Sequence, residues 1–250
     1  MSSKTASFVI ALLCASVAFS GCIDRPAVWG RPGEARKEFL GSSYEKIIIE
    51  VDYDSNTKPD DAALSLLRQR LTDAGVCGKD IEIKISDKLT DSKASYSIQE
   101  IRAIQDKYRS HHNQFVHFGD GAFYAYVLYL DGEYADNKNV IGLAYSADSF
   151  VIFQSNIKKN VNQFGIPPTA QDVEKSVLIH EFGHLLGLVS RGQDSLYKYK
   201  EDARHEHHCE NSKCVMYYAV DTTDVIGAFL NKGTPTDFCE SCRQEMNAYR

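Results

Sequence analysis

The segment that most constrains this chain is VLIHEFGHLLG, residues 177–187, because its pattern is that of a buried helix with polar side chains at fixed places. Thr169 is placed to cap such a helix, and Asp172 follows three residues later, as in a capping box. Apolar residues then recur at helical spacing until Gly187, which is typical of a helix stop. The sequence therefore predicts one long helix that ends at this glycine.

The same helix carries the sequence HExxH. At about 3.6 residues per turn, His180 and His184 lie on one face of the helix, so that two imidazoles can bind one metal ion. Glu181 is one step around the helix, from where its carboxylate can reach a water molecule at that metal. This pattern predicts metal-assisted hydrolysis with Glu181 as the general base.

Strand and helix patterns alternate in the N-terminal half of the chain. They predict strands over 46–54, 80–86 and 122–130, helices over 60–75 and from Ser97, and two short strands within 139–154. A short helix is expected at the C-terminus. The predicted fold class is mixed α/β (α+β), with a twisted N-terminal sheet backed by helices, the helix of the HExxH motif, and an irregular C-terminal part.

The N-terminus has the pattern of an export signal. An apolar run over residues 6–19 ends in AFSGC, which resembles the lipobox of bacterial lipoproteins with Cys22 as the lipidated residue. We expect a signal peptide over 1–22, a tether over 23–40 and one domain over 41–250. The protein would then be exported and lipid-anchored at the periplasmic face or cell surface. An ordinary secretory signal cleaved nearby is the alternative.

Composition excludes one large class of partner. The formal net charge is −6, and the sequence has no cluster of Lys or Arg that could attract a polyanion. We expect no nucleic-acid partner, a peptide or protein substrate, and a monomer whose membrane contact is through the lipid alone.

The C-terminal part adds a third histidine and four cysteines. HEHHCENSKCVMYY places His208 directly before Cys209, and Cys214 and Met216 follow; CESC ends at Cys242. From HExxHxxG onward the chain resembles the archaemetzincins of the metzincin clan, in which a His-Cys pair, a second cysteine, a methionine turn and a CxxC come next. The segments 187–208 and 216–239 are longer than in the family pattern.

The resemblance implies a zinc metallopeptidase, an endopeptidase, with two zinc ions. The roles it implies are catalytic zinc ligands for His180, His184 and His208, general base for Glu181, turns at Gly187 and Met216, transition-state stabilisation by Tyr218, and a structural zinc site of Cys209, Cys214, Cys239 and Cys242. In metzincins the substrate lies extended along an edge strand, and residues 140–146 are the candidate for it.

Alternatives remain for the ligands. Ser190 stands where most metzincins have the third histidine, and His205 and His207 compete with His208 for that role. A gluzincin-like hydrolase would instead use a carboxylate, Glu201 or Glu206.

Two further alternatives concern the cysteines and catalysis. The four cysteines of an exported chain can form disulfides, whereas Cys77 is expected to be an unpaired buried residue. A third hypothesis for the function of the chain is a peptide-binding module without catalytic activity. The intact Glu181 argues against this hypothesis.

Overall fold

The structure is a computed structural model that describes residues 30–90, 92–111, 121–161, 166–189 and 201–250. In these ranges the strands are β1 (Lys46–Tyr53), β2 (Asp80–Asp87), β3 (Ser95–Tyr96), β4 (Ala122–Leu130), β5 (Glu133–Tyr134), β6 (Gly142–Ala144) and β7 (Ser149–Phe153). The helices are α1 (Arg36–Leu40), α2 (Asp61–Thr72), α3 (Ile98–Tyr108), α4 (Gln154–Asn160), α5 (Ala170–Leu185), α6 (Asp224–Ala228) and α7 (Glu240–Asn247). None of the described helices has the length and apolar character needed to cross a membrane.

The main sheet has five strands in the order β2-β1-β4-β7-β6. All neighbours are parallel except β6, which runs antiparallel to β7 at one edge. A separate pair, β3 and β5, is parallel. The mixed α/β class predicted from the sequence is confirmed, and β6 lies at an edge of the sheet as residues 140–146 predict.

Helices cover both faces of the sheet, which explains why its central strands are apolar throughout. In β4 successive side chains alternate between faces: Val127 and Tyr129 belong to the core that includes α2 and α5, whereas Tyr126 and Leu128 pack in a second cluster with α3. Strand β4 is therefore buried on both sides and fixes the position of the helices above it.

Helix starts agree closely with the sequence patterns. Ser97 and Glu100 form a capping box at α3, and Thr169 and Asp172 form one at α5. Helix α2 ends at Thr72, earlier than the sequence predicts, and the carboxylate of Asp73 accepts a hydrogen bond from the Gly75 amide at 2.7 Å just after it.

The start of the domain differs from the sequence prediction. A tether is predicted as far as residue 40, but residues 36–40 form α1, and Phe39 is fully buried. Its ring centroid lies 4.8 Å from that of Phe123 and 5.3 Å from that of Phe182. Residues 30–40 thus belong to the domain, because the apolar side chains at the end of this segment pack into the core. Residues 1–29, with the predicted signal and Cys22, lie outside the described residues.

Candidate metal sites

Helix α5 holds two imidazoles in the protein interior. His180 and His184 are 0% and 2% exposed. The Nδ1 atom of His180 lies 2.7 Å from the carbonyl oxygen of Val215. A carbonyl only accepts, so Nδ1 carries the proton and Nε2 keeps its lone pair. The Nε2 atoms of the two histidines are 3.0 Å apart, so both rings are directed at one point.

His208 brings a third imidazole to the same place. Its Nδ1 lies 2.9 Å from the carbonyl oxygen of Glu206, which again leaves Nε2 as the lone-pair nitrogen. The ring centroid of His208 is 5.3 Å from that of His180 and 5.4 Å from that of His184. The predicted three histidines are therefore adjacent in the structure.

A carboxylate that sequence reasoning missed completes this group. Asp221 offers an oxygen, and one ligand atom from each of His180, His184, His208 and Asp221 lies within 4.8 Å of the others. We call these four residues the histidine site. Burial raises the pKa of the Asp221 carboxyl, but His208 and His180 in their protonated forms outweigh this effect and hold the pKa below its ordinary value.

The histidine site fits a zinc ion. Its donors are imidazole nitrogens and a carboxylate oxygen, which are common zinc ligands. One of its buried atoms, Oδ1 of Asp221, has no hydrogen-bond partner among the described residues, and Oδ2 of Asp221 lies 3.3 Å from Nε2 of His208. Buried polar atoms without partners are costly, and a cation among these ligand atoms would satisfy this oxygen.

Glu181 lies beside the histidine site and is not one of its members. Its side chain is 1% exposed and lies under the edge strand β6. A Cβ atom added at Gly142 would come within 2.6 Å of Oε1 of Glu181. Glycine at position 142 therefore allows the strand to pass close above this carboxylate.

The chain turns away from the histidine site after α5. Gly187 has a φ of +75°, a conformation that suits glycine, and its amide donates to the carbonyl of His184 at 3.1 Å. Two residues later the amide of Val189 donates to Oε2 of Glu245 in α7 at 3.1 Å. The turn predicted at Gly187 is present, and Ser190 lies outside the described residues.

The rival histidines have other contacts. The ring of His205 stacks on that of Tyr218, with centroids 3.6 Å apart and an interplanar angle of 4°. His207 Nδ1 lies 3.6 Å from a carboxylate oxygen of Glu201. Neither histidine belongs to the histidine site as the structure describes it. Tyr218 is thus engaged with His205.

The two glutamates of the gluzincin alternative also lie outside the histidine site. Glu201 accepts a hydrogen bond from the backbone amide of His207, and Glu206 contributes its backbone carbonyl to His208. The carboxylate at the histidine site is Asp221, from a different part of the chain. This arrangement does not support a glutamate as the third ligand.

Met216 packs against the helix between the two histidines. A Cβ atom added at Gly183 would lie 2.3 Å from the Met216 sulfur, so this close approach requires glycine. The Met216 carbonyl accepts a hydrogen bond from the amide of Cys209 at 2.7 Å. The methionine therefore links α5 to the segment that carries His208.

Four cysteines form a second cluster, the cysteine site: Cys209, Cys214, Cys239 and Cys242. The sulfur atoms of Cys209 and Cys239 are 3.8 Å apart, those of Cys214 and Cys242 3.6 Å, and those of Cys239 and Cys242 3.7 Å. Tetrahedral zinc with Zn–S bonds of about 2.3 Å requires sulfur separations of about 3.8 Å, whereas a disulfide bond is about 2.05 Å long. All four cysteines are free in the structure, so the geometry fits a zinc ion.

The thiols of the cysteine site ionise unequally, since hydrogen bonds with the neighbouring sulfurs raise the pKa of Cys214 and of Cys242. Hydrogen bonds from the sulfurs of Cys209, Cys214 and Cys242 hold the pKa of the Cys239 thiol well below its usual range. Cys239 also stands at the N-terminus of α7, where the helix dipole favours a negative charge. Cys77, by contrast, is buried away from the cluster, and burial raises the pKa of its thiol to about 12.

Comparison with solved structures relates this architecture to a known one. Archaemetzincin from Methanopyrus kandleri superposes with a TM-score of 0.51 at 16% sequence identity, over 84% of this chain and 97% of that chain. The chain has the archaemetzincin fold. This confirms, at the level of the fold, the resemblance that the sequence motifs indicate.

A second structure, metalloproteinase-II from Bacteroides fragilis, matches at 16% identity with a TM-score of 0.45, over 83% of this chain and 54% of that one. This chain therefore spans about half the length of that protein. No protein-family model matches the sequence, and no curated protein is significantly similar to it.

Within the archaemetzincin fold, the one member of the histidine site that the sequence did not predict is Asp221. The signal that could have found it is weak: a carboxylate five residues after Met216. Its proximity to the histidines depends on a long-range contact, because its backbone carbonyl accepts a hydrogen bond from the amide of Ile141 at 2.9 Å.

Proposed function

We propose that this protein is a zinc-dependent peptidase that hydrolyses internal bonds of an extended peptide. The observation that carries the proposal is the convergence of three imidazoles on one point, two of them buried on α5, where Glu181 lies between them in the sequence. Two histidines and a glutamate in this arrangement are what the HExxH motif predicts for metal-assisted hydrolysis. The archaemetzincin fold of the chain also supports the proposal.

His180, His184 and His208 would hold the catalytic zinc through their Nε2 atoms. The backbone carbonyls at Val215 and Glu206 orient two of the rings and keep their Nε2 atoms unprotonated. A zinc ion, when bound, supplies Lewis acidity, which lowers the pKa of water towards about 7 and polarises the scissile carbonyl.

Glu181 would move the proton. Its carboxylate would accept a proton from the water whose oxygen bonds to the scissile carbonyl carbon, and would then donate that proton to the amide nitrogen as the C–N bond breaks, which gives a carboxylic acid and an amine. Its burial under Gly142 fixes the carboxylate next to the strand along which the substrate would lie. The side chain is therefore held in place before substrate arrives.

The substrate would bind along β6. The amides of Tyr145 and Phe153 donate across the β6–β7 pair, to Ser149 and Ile141, so by alternation Gly142 and Ala144 direct their backbone groups to the outer edge. An extended peptide can add to such an edge by backbone hydrogen bonds. No partner besides a peptide or protein is proposed, and the protein would act as a monomer.

The cysteine site would hold a second, structural zinc ion. Four thiolates leave no open position on a tetrahedral metal, so this site would serve folding and not catalysis. Export and lipid attachment at Cys22 complete the proposal, on the sequence pattern alone.

Substitution Glu181→Gln tests the proposed function. We expect cleavage of an unstructured protein substrate to fall by roughly 10²–10⁴, the usual contribution of a general base, while the metal content per chain is unchanged. Cleavage in the wild type should also stop with a chelator and return with zinc.

Glu174→Gln is the matched control, because it removes another buried carboxylate from the same helix, where Glu174 accepts hydrogen bonds from Tyr129 and Gln154. It should retain most of the cleavage. Wild-type cleavage in Glu181→Gln, or loss of a metal ion from it, would contradict the assigned role.

A further inference from the structure

We propose that Asp221 is a fourth protein ligand at the histidine site and that it closes this site in the resting protein. The proposal rests on the proposed function, because it assumes that the three histidines hold a metal ion. It concerns a residue of this chain that neither the motif nor the family resemblance predicts.

Asp221 faces the nitrogen of His208 that is directed at the other two imidazoles. A carboxylate that merely orients a metal-binding histidine contacts the ring nitrogen remote from the metal. In His208 that nitrogen, Nδ1, is already engaged by the carbonyl of Glu206. Oδ2 of Asp221 instead lies 3.3 Å from Nε2, the atom directed at the other imidazoles. The Asp221 carboxylate therefore lies on the metal-facing side of the His208 ring, where another metal ligand would lie.

One oxygen of the Asp221 carboxylate is buried and unsatisfied. This oxygen, Oδ1, has no hydrogen-bond partner among the described residues. A buried carboxylate oxygen without a partner destabilises the folded protein unless a cation or a hydrogen-bond donor satisfies it. A metal ion among the four ligand atoms, which lie within 4.8 Å of one another, would do so.

Backbone hydrogen bonds hold Asp221 in place. Its carbonyl accepts hydrogen bonds from the amides of Ile141 at 2.9 Å and Gly142 at 3.3 Å, and Val140 forms an antiparallel bridge with Thr222. The segment 221–223 is thus paired with the chain that leads into β6. The backbone pairing fixes the position from which the carboxylate reaches the histidine site.

Two consequences follow for the resting protein. Three histidines leave an open position on zinc, whereas a fourth protein ligand fills a tetrahedral site, as in structural zinc sites. In addition, a peptide added along the β6 edge competes with segment 221–223 for the backbone groups of Ile141 and Gly142. Substrate binding and release of the Asp221 carboxylate are thereby coupled.

The test replaces zinc with cobalt(II) and follows the visible spectrum as azide is added. Azide is a small anion that binds a metal ion only where a coordination position is exchangeable. Cobalt bound by the four thiolates of the cysteine site therefore does not bind azide. The spectral change on addition of azide then reports on the histidine site alone. In the wild type the Asp221 carboxylate fills the fourth coordination position most of the time. Asp221→Ala should therefore bind azide at least about tenfold more tightly, since the competent fraction rises.

Asp221→Asn should show the same direction of change and serves if Asp221→Ala fails to fold, because it keeps the side-chain volume and is a poor ligand. Asp224→Ala is the matched control: Asp224 is exposed at the start of α6, outside the histidine site, and this variant should behave as the wild type. A wild type that binds azide as tightly as both Asp221 variants would overturn the inference and leave the proposed function intact. A wild type with metal at the cysteine site alone would overturn both.

Discussion

The cysteine site and the histidine site lie next to each other in the chain, joined by the peptide bond between Cys209 and His208. The cysteine site is made of four identical donors, and three pairs of its sulfur atoms are 3.6, 3.7 and 3.8 Å apart. The histidine site is unequal: its ring nitrogens are individually oriented by carbonyls, and its fourth member is a carboxylate. Four thiolates would leave a tetrahedral metal ion no open position, as in structural sites, whereas a catalytic site needs a position that substrate or water can occupy.

The two sites also differ in how they are anchored. The cysteine site joins two short segments, one of them the first turn of α7, so a metal ion there would cross-link them. The histidine site is built on α5, a helix that is already buried and capped without a metal. The comparison teaches that one site should be needed for folding and the other for chemistry. Three substitutions test this, in order of the number of metal ions that each should remove.

Cys214→Ser should have the largest effect and remove both ions. Cys214 is fully buried in the cysteine site. Structural zinc contributes about 10 kcal/mol or more to folding in small zinc domains, comparable to the whole stability of a typical domain. We expect loss of the cooperative thermal transition and of metal, measured by circular dichroism and by metal analysis per chain.

Cys77→Ala is the control for this experiment, since Cys77 is buried outside the cluster and its loss should leave both ions in place. The comparison of the two sites would fail if Cys214→Ser melted as the wild type does, or if mass analysis without reduction found these cysteines as disulfides.

His208→Ala should remove one ion and leave the fold intact. The cysteine site retains all its ligands, so the thermal transition should persist, while peptide cleavage is lost with the catalytic metal. Metal analysis and a melting curve on the same sample check both expectations. His205→Ala and His207→Ala should each keep two ions. We would reassign the third ligand if one of them lost the catalytic metal instead.

Gly183→Ala should remove no ion and still destabilise the protein. The new Cβ would meet the Met216 sulfur at 2.3 Å, so the methionine or the helix must shift. Overpacking of this kind costs about 1–3 kcal/mol, against at most about 1 kcal/mol gained from the helix propensity of alanine. Urea denaturation measures the net loss in the free energy of unfolding.

Gly227→Ala supplies the matched control, because Gly227 also lies in a helix but a Cβ there meets nothing within 4 Å. It should be neutral or stabilising. Equal stability of the two variants would show that the contact between Gly183 and Met216 does not matter to folding.

Local patterns in the sequence predict most of the fold. The capping boxes at Ser97 and Thr169, and the apolar runs of β1 and β4, each depend on residues a few positions apart, so they can be recognised without knowledge of the fold. The His-Cys pair and the two close cysteine pairs are equally local. The same holds for the glycine turn after α5.

Features that depend on distant contacts could not be predicted. Helix α1 begins in a segment rich in Pro, Gly and charge, and only its contacts with Phe123 and Phe182 place Phe39 in the core. Asp221 reaches the histidine site because residues 221–223 pair with a segment about eighty positions earlier in the chain. No local spacing encodes either contact.

The peptide bond between His208 and Cys209 has a consequence for how the two metal sites affect each other's affinity. When one metal ion binds both His184 and His208, it closes a loop of 24 residues. A histidine at the position of Ser190 would close a loop of only six residues. Two doublings of loop length cost about 1.2 kcal/mol of chain entropy, roughly eightfold in affinity. On the proposed assignment, metal at the cysteine site restrains Cys209 and with it His208, which offsets this cost in advance. By linkage each ion then strengthens the binding of the other by the same factor.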